Sequence, residues 1–228
     1  MQRYYDRVHQ HKGLDSDGSP ILTNPKFGNV TGGKYLEVLP DSGLAVQRGG
    51  SPYDDMNFTF STGRVSQANF PNWETMLSPF YAYTFAINDY IQLAAQEFPH
   101  SWEEGTEAEV HVHAITNGLD TTDRYVKHQV SLTWANAYSE SDHSVYDTVT
   151  VLETEITIPA NTADRTHFVR SIGTLPMTGG KVGAYIGIVY KRISADGAAP
   201  TEDPFIIAVG LHIKKNTNGS IGLTGKWA

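Results

Sequence analysis

The strongest constraint on the fold is a series of β-rich segments in the second half of the chain. Apolar, β-branched and aromatic residues alternate with polar ones in six successive segments, at 110–115, 125–138, 147–158, 166–175, 182–194 and 204–215. Turn-forming clusters such as Asn117-Gly118 and Gly179-Gly180 separate them. Strands that follow one another without intervening helices pair antiparallel, in a sandwich or a barrel. The pattern therefore predicts an all-β antiparallel fold.

One segment, 85–98, fits two secondary structures. Its apolar residues follow a helical stripe, whereas 90–93 alone also fits a strand that ends before Pro99. The Ala, Gln and Glu content favours a helix on intrinsic propensity. Tertiary packing often overrides propensity, so the pattern leaves both structures open here.

Composition excludes several classes of function. The 228-residue chain has 17 basic and 25 acidic residues, a net charge of −8, and no cysteine. An acidic chain is a poor nucleic-acid binder, and thiol chemistry, zinc fingers and disulfide scaffolds all need cysteine. The longest apolar run, 205–209, is far shorter than the roughly 20 residues of a membrane helix. The N-terminus lacks the apolar core of a signal peptide. We therefore expect no nucleic-acid partner and no membrane partner.

The N-terminal quarter of the chain differs from the rest. Eight of the 21 glycines lie in the first 50 residues, and apolar periodicity there is short and broken. The pattern predicts an extended N-terminal arm at 1–56, a β domain at 57–216 and a C-terminal tail at 217–228. Spaced apolar anchors on a flexible backbone suit a segment that orders on binding a partner. The candidate partner-binding residues are Tyr4, Tyr5, Phe27, Tyr35, Leu36 and, in the tail, Trp227.

His111 and His113 are the sharpest local chemical pattern. Gly105, five residues and then His-x-His match the first half of a cupin signature, and two histidines one residue apart share a strand face. The glutamate that a cupin needs next is absent from 114–118, and the second cupin motif is absent too. With no third ligand apparent, we predict no bound metal and a pair packed or hydrogen-bonded between sheets. Two metal alternatives stay open: a cupin-like site, or a six-nitrogen site on a three-fold axis.

The sequence contains no recognisable catalytic motif. It lacks a Gly-x-Ser-x-Gly elbow, a phosphate-binding loop and a dinucleotide fingerprint. The acidic cluster at 103–109 adjoins a glycine and is typical of a solvated loop. We therefore predict no catalytic residues and no cofactor.

A longer motif resembles a family of proteins. The segment Phe98-Pro-His-Ser-Trp-Glu-Glu-Gly-Thr106, followed by His111-Val-His113, is similar to a motif in tailed-bacteriophage and prophage proteins. The resemblance extends over about 88–222, including the apolar strand at 205–213 and the Gly-Ser-containing segment after it. It implies a jelly-roll sandwich, oligomeric assembly, no enzymatic activity, and a strand rather than a helix at 88–98.

Together these observations favour a virion structural protein. The expected location is the virion, assembled in the host bacterial cytoplasm. The expected partners are other copies of the chain, with a homotrimer favoured, and virion proteins such as the major capsid, portal, neck or tail proteins. Two alternatives remain: a cupin-like metal-binding protein using His111 and His113, and a glycan-binding tail-fibre sandwich. In the second, surface aromatics such as Tyr53, Trp73 and Tyr138 would stack on sugars.

Overall fold

The structure is a computed structural model that describes residues 26–29, 31, 34–39, 43–47, 53–65, 68–137 and 144–215. Apart from a 3-10 turn at Phe60–Thr62, the regular elements of these residues are all strands. They are β1 (Lys26–Asn29), β2 (Lys34–Leu39), β3 (Gly43–Gln47), β4 (Tyr53–Thr59), β5 (Arg64–Val65), β6 (Asn72–Leu77), β7 (Phe80–Thr84), β8 (Tyr90–Glu97), β9 (Ala108–Ile115), β10 (Arg124–Ala135), β11 (Thr150–Ile158), β12 (His167–Leu175), β13 (Tyr185–Ile193) and β14 (Phe205–Lys214).

The all-β prediction is confirmed. Each of the six predicted segments overlaps one strand, β9 to β14 in order. The ambiguous segment 85–98 contains strand β8, in which Ile91 and Leu93 are buried on one face. Pairing with β5 and β13 on either side decides the structure of this segment, against its helix propensity. Within the described part of the chain, no helix is long and apolar enough to cross a bilayer.

The chain divides into two compact units. The first comprises Met1–Tyr53, Pro99–Glu103 and Lys214–Ala228. Its described part contains the antiparallel sheet β1-β2-β3, in which Leu36 pairs with Phe27 on one side and Val46 on the other. The sequence pattern did not predict these three strands, which lie within the predicted arm.

The second unit comprises Asp54–Phe98 and Glu104–Ile213 and contains two antiparallel sheets. Sheet I has the strand order β12-β9-β14-β7-β6, and β4 also pairs with β14. Sheet II has the order β11-β10-β13-β8-β5. The two sheets form a sandwich.

Strands β7 to β14 have the connectivity of a jelly roll. They form four nested antiparallel pairs: β10 with β11, β9 with β12, β8 with β13, and β7 with β14. The four pairs together form one long antiparallel hairpin, which folds so that successive pairs lie in alternate sheets. Sheet I accordingly has the order β12-β9-β14-β7, and sheet II has the order β11-β10-β13-β8. Eight strands wound in this way are the jelly-roll arrangement.

The core lies between the sheets and follows the two-residue period of the strands. In β9, Val110 and Val112 are buried on the core side, and in β10 Val130 and Leu132 are buried in the same way. Each fully buried aliphatic side chain contributes about 1.5–3 kcal/mol relative to exposure. Phe60, Phe85 and Tyr190 add an aromatic cluster with edge-to-face contacts and centroid distances of 5.0–5.4 Å.

Candidate functional site

The candidate site lies on sheet I, on the face opposite the core. Because Val110 and Val112 of β9 point into the core, the period of a strand places His111 and His113 on the other face. The rings of the two histidines are 5.0 Å apart. The interpretation that this pair packs between the sheets is therefore wrong, although the prediction that the two residues share a face is confirmed.

Three adjoining strands bring further ligand-type side chains to His111. In the sheet, β9 pairs with β14 and β14 pairs with β4. The rings of His111 and His212 are 4.3 Å apart, and Asp55 Oδ1 lies 2.9 Å from His212 Nε2. One ligand atom from each of Asp55, His111 and His212 lies within 4.8 Å of the others. The sequence-based expectation that His111 has no third ligand-type neighbour is therefore wrong.

Glu109 fixes the orientation of His212. The two residues are register partners on β9 and β14, and His212 Nδ1 lies 2.7 Å from Glu109 Oε2. Hydrogen bonds from Ser171 and then from His212 lower the pKa of Glu109, which therefore remains an acceptor. With Nδ1 committed to Glu109, the Nε2 atom of His212 points to Asp55.

Gly210 makes room for the ring of His111. The two residues are register partners, and a β-carbon on Gly210 would lie 2.2 Å from His111 Nε2. No other residue type has so little bulk, so this glycine lets the imidazole occupy the space that a β-carbon would fill. His111 is only 3% exposed, and its Nδ1 atom has no hydrogen-bond partner among the described residues.

His113 belongs to a different pair. Its Nδ1 atom lies 3.0 Å from Nε2 of His167 on β12, and the two rings are stacked. Burial, and then the neighbouring His167, lower the pKa of His113. Burial also lowers the pKa of His111, and the neighbouring His212 and His113 add to this shift. Both shifts favour the neutral imidazole, which is the form that binds metals.

A separate group of polar side chains lies inside the core, away from the histidine cluster. His128 and Tyr190 share a buried hydrogen bond of 2.7 Å between Nδ1 and the hydroxyl. Burial lowers the pKa of His128 to about 3 and raises that of Tyr190. The neighbouring Arg192 donates to the Phe85 carbonyl and to Asp203. His128 is itself fully buried within β10.

The predicted partner-binding residues are spread over the first unit of the chain. Phe27 lies in β1 and pairs with Leu36 of β2, and Tyr35 precedes Leu36. Tyr4, Tyr5 and Trp227 lie outside the described residues. Their proposed role in binding stays a prediction.

Asp55, Glu109 and His212 are the residues that sequence reasoning missed as a group. Glu109 was included in a solvated acidic loop, but it lies in β9 and accepts a hydrogen bond from His212. The alternation of β9 places Glu109 on the same face as His111, and this was the one available signal. Asp55 and His212 reach the site through long-range strand pairing, which local spacing does not reveal.

Comparison with known proteins does not identify a family. No protein-family model matches the chain, and no curated protein matches it significantly. Among solved structures, a chain in the structure of the infectious bursal disease virus Gt strain is similar, with 11% identity and a TM-score of 0.29. The match covers 79% of this chain and 40% of the viral chain, so this chain spans less than half of that length. A likeness at this level carries no functional argument.

Proposed function

We propose that this chain is a non-enzymatic structural protein of a bacteriophage virion, which acts by assembling with copies of itself and with other virion proteins. The observation that carries this proposal is an exposed apolar hairpin at the edge of a jelly-roll sheet. Strands β6 and β7 form this hairpin, and β6 is the terminal strand of sheet I. Jelly rolls recur among viral capsid domains, although they also occur in lectins and cupins.

The hairpin exposes large apolar side chains on a strand edge. Leu77 and Phe80 are 63% and 62% exposed, and Trp73 and Tyr81 are each half exposed. An exposed, apolar edge strand offers unpaired backbone groups and apolar surface together, which is the combination that drives association between chains. Isolated exposed residues need no explanation, but a group of four on one hairpin is typical of an interaction surface.

The sequence motif at 98–113 supports the assignment to a virion. Its resemblance to tailed-phage proteins implied a jelly roll, and the strand connectivity agrees with that implication. We propose a closed homo-oligomer, because closed symmetry is the rule for homo-oligomers. A trimer is favoured because jelly-roll virion proteins often occupy three-fold or quasi-three-fold positions. In this proposal the remaining partners are capsid, portal, neck or tail proteins.

The self-assembly is tested by light scattering of the full chain after size-exclusion chromatography. The chain is 25.1 kDa, so a trimer has a mass of 3 × 25.1, or about 75 kDa. We expect an oligomer at micromolar concentration, and Phe80→Lys should shift it to the monomer. Leu119→Lys is the matched control, because Leu119 is equally exposed but lies in the loop after β9. A wild-type monomer, or equal effects of both variants, would contradict the proposal.

A second candidate function has one specific observation in its favour. Trp73 and Tyr81 are stacked, with ring centroids 6.3 Å apart and planes 12° apart, and both are half exposed. Stacked exposed aromatics can serve as a platform for sugar rings. A glycan-binding protein would lose its ligand on Trp73→Ala while its oligomeric state remained unchanged. The virion-assembly proposal expects no glycan binding.

A further inference from the structure

Two imidazoles and one carboxylate meet on three adjoining strands of sheet I. Asp55 on β4, His212 on β14 and His111 on β9 bring their ligand atoms within 4.8 Å of one another. The three residues are far apart in the sequence, so strand pairing alone assembles them. Two histidines and a carboxylate form a common ligand set for divalent first-row metals.

A second observation points to a ligand at this place. His111 is 97% buried (3% exposed), yet its Nδ1 atom has no hydrogen-bond partner among the described residues. An unpaired buried nitrogen costs free energy, so it is expected only where strain, function or a bound species accounts for it. The space that Gly210 leaves free holds this ring against His212.

Glu109 supplies the outer support that metal-bound histidines normally have. A histidine that binds a metal through one ring nitrogen usually donates its other N–H to a carboxylate or carbonyl. His212 donates from Nδ1 to Glu109, and Glu109 also bonds to Ser171. The Nε2 atom of His212 is thereby aimed at Asp55, where a metal would be shared.

We propose that Asp55, His111 and His212 bind one divalent first-row transition metal ion, with Zn²⁺ as the representative. His212 Nδ1 lies 2.7 Å from Glu109 Oε2, and its Nε2 atom lies 2.9 Å from Asp55 Oδ1, on the side that faces the proposed ion. The ion would lie between His212 Nε2 and the Asp55 carboxylate, and both groups would bind it directly together with His111. Water completes the four-coordinate shell.

The imidazole ligands decide the class of ion. Ca²⁺ and Mg²⁺ prefer shells made of oxygen, whereas imidazole suits Zn²⁺, Cu²⁺, Ni²⁺ and Fe²⁺. The site joins β4, β14 and β9, so the ion would tie the first strand of the sandwich unit to its last strand and to β9. A ligand that binds only the folded chain raises its melting temperature in proportion to the logarithm of ligand concentration.

The test is titration of the chelator-stripped full chain with Zn²⁺ alone, by calorimetry and by thermal unfolding. We expect one Zn²⁺ per chain and a melting temperature that rises with Zn²⁺. Asp55→Asn and His212→Gln should each weaken binding more than about 100-fold, because outer-shell losses alone cost about 10–100-fold. Glu109→Gln should weaken Zn²⁺ binding by about 10–100-fold, because it removes only the outer support of His212. Asp55 is exposed, so Asp55→Asn tests the site even if variants at the buried His111 fail to fold.

Two matched controls accompany these variants. Asp54→Asn makes the same change one residue away on β4, and His167→Gln removes a histidine of the neighbouring pair. Both should bind Zn²⁺ like the wild type. The proposal is overturned if no saturable binding occurs, if Asp55→Asn or His212→Gln binds normally, or if one ion binds per three chains. The last result would indicate a site on a three-fold axis instead. None of these outcomes bears on assembly through the β6–β7 hairpin.

Discussion

The imidazole of His111 lies directly against Gly210 on the next strand. A β-carbon added to Gly210 would be only 2.2 Å from His111 Nε2. The position of the His111 side chain on β9 therefore depends on a glycine at position 210 of β14. The ring then lies 4.3 Å from that of His212, and the ligand atoms of Asp55 are within reach. A glycine in the middle of a strand, normally a weak point, is here a condition for the histidine cluster.

We therefore expect Gly210→Ala to disturb both stability and the cluster. The new methyl group must displace the buried His111 ring, and overpacking of this kind typically costs about 1–3 kcal/mol. Gly187→Ala is the control, because its β-carbon would meet only Thr133 Cγ2 at 3.5 Å, an ordinary contact. That variant should be neutral or slightly stabilising. Urea unfolding of both variants checks the prediction, and equal free energies of unfolding would contradict it.

The strands could be predicted from sequence because their evidence is local. Alternation and turn clusters are visible within ten or so residues, and β9 to β14 appear where they predict. The shared face of His111 and His113 follows from the same period. Glycine-rich spacing at 26–47 concealed β1 to β3, whose short strands carry little alternation.

The site could not be predicted because its members meet through non-local pairing. His111 was visible as half of a His-x-His motif, but its actual neighbours are Asp55 and His212, not a downstream glutamate. Nothing in the spacing of these residues reveals that β4 and β9 flank β14. The burial of His128 and Arg192 was equally hidden, because each is a polar residue at a core-facing position of its strand.

Buried His128 predicts a loss of stability in mild acid. Its pKa is about 3 in the folded chain against 6.5 for an ordinary histidine, so the unfolded chain takes up the proton first. The stability that the buried neutral imidazole contributes is fully present above pH 6.5, and it is lost progressively as the pH falls from 6.5 towards 3. Over the 1.5 pH units from 6.5 to 5, the free energy of unfolding should fall by about 2 kcal/mol from this residue. The lowered pKa values of His111 and His113 act in the same direction.

Urea unfolding between pH 7 and 5 measures this slope, in a range where most carboxylates stay ionised. His128→Gln should make the free energy of unfolding less dependent on pH, by the amount that this one histidine contributes. Tyr190→Phe is the informative comparison, since it leaves the imidazole buried but removes its partner. That variant should lose about 1–3 kcal/mol at pH 7 while keeping the slope. A slope unaffected by His128→Gln would show that other groups cause the acid sensitivity.

Arg192 predicts an asymmetric effect of charge removal. Its side chain is 2% exposed, and it donates to Asp203 and to the Phe85 carbonyl. Asp203→Asn removes the carboxylate that pairs directly with this buried cation and leaves only the electrostatic interaction with Asp89. Because Asp203 is itself partly exposed, we expect a loss of about 1–3 kcal/mol. Lys181→Gln removes the exposed pair with Glu104, which is 3.8 Å long, and should cost less than about 0.5 kcal/mol. Equal losses in chemical denaturation would contradict this ranking.

Removal of the N-terminal segment separates folding from assembly. The second unit begins at Asp54 and has its own two-sheet core, so a chain that lacks residues 1–50 keeps every strand from β4 onward. We expect it to fold with a melting temperature close to that of the full chain. Residues 1–50 include the predicted anchors Tyr4, Tyr5 and Phe27, and in the proposed function contacts with a partner would offset the cost of ordering this segment. We therefore expect the shortened chain to be absent from particles when it is produced with the other virion proteins.

The two halves of this last prediction fail separately. If the shortened chain is insoluble or melts much lower, residues 1–50 contribute to the stability of the fold itself. If it enters particles at normal copy number, attachment depends on another segment. Removal of residues 217–228, which include Trp227, is the matched control, since it shortens the other end of the chain and leaves Lys214 and Lys215 in place. Because we assign the main attachment to the N-terminal segment, loss of the tail with Trp227 should reduce incorporation less than loss of residues 1–50, and the opposite ranking would transfer the main attachment role to the C-terminal tail.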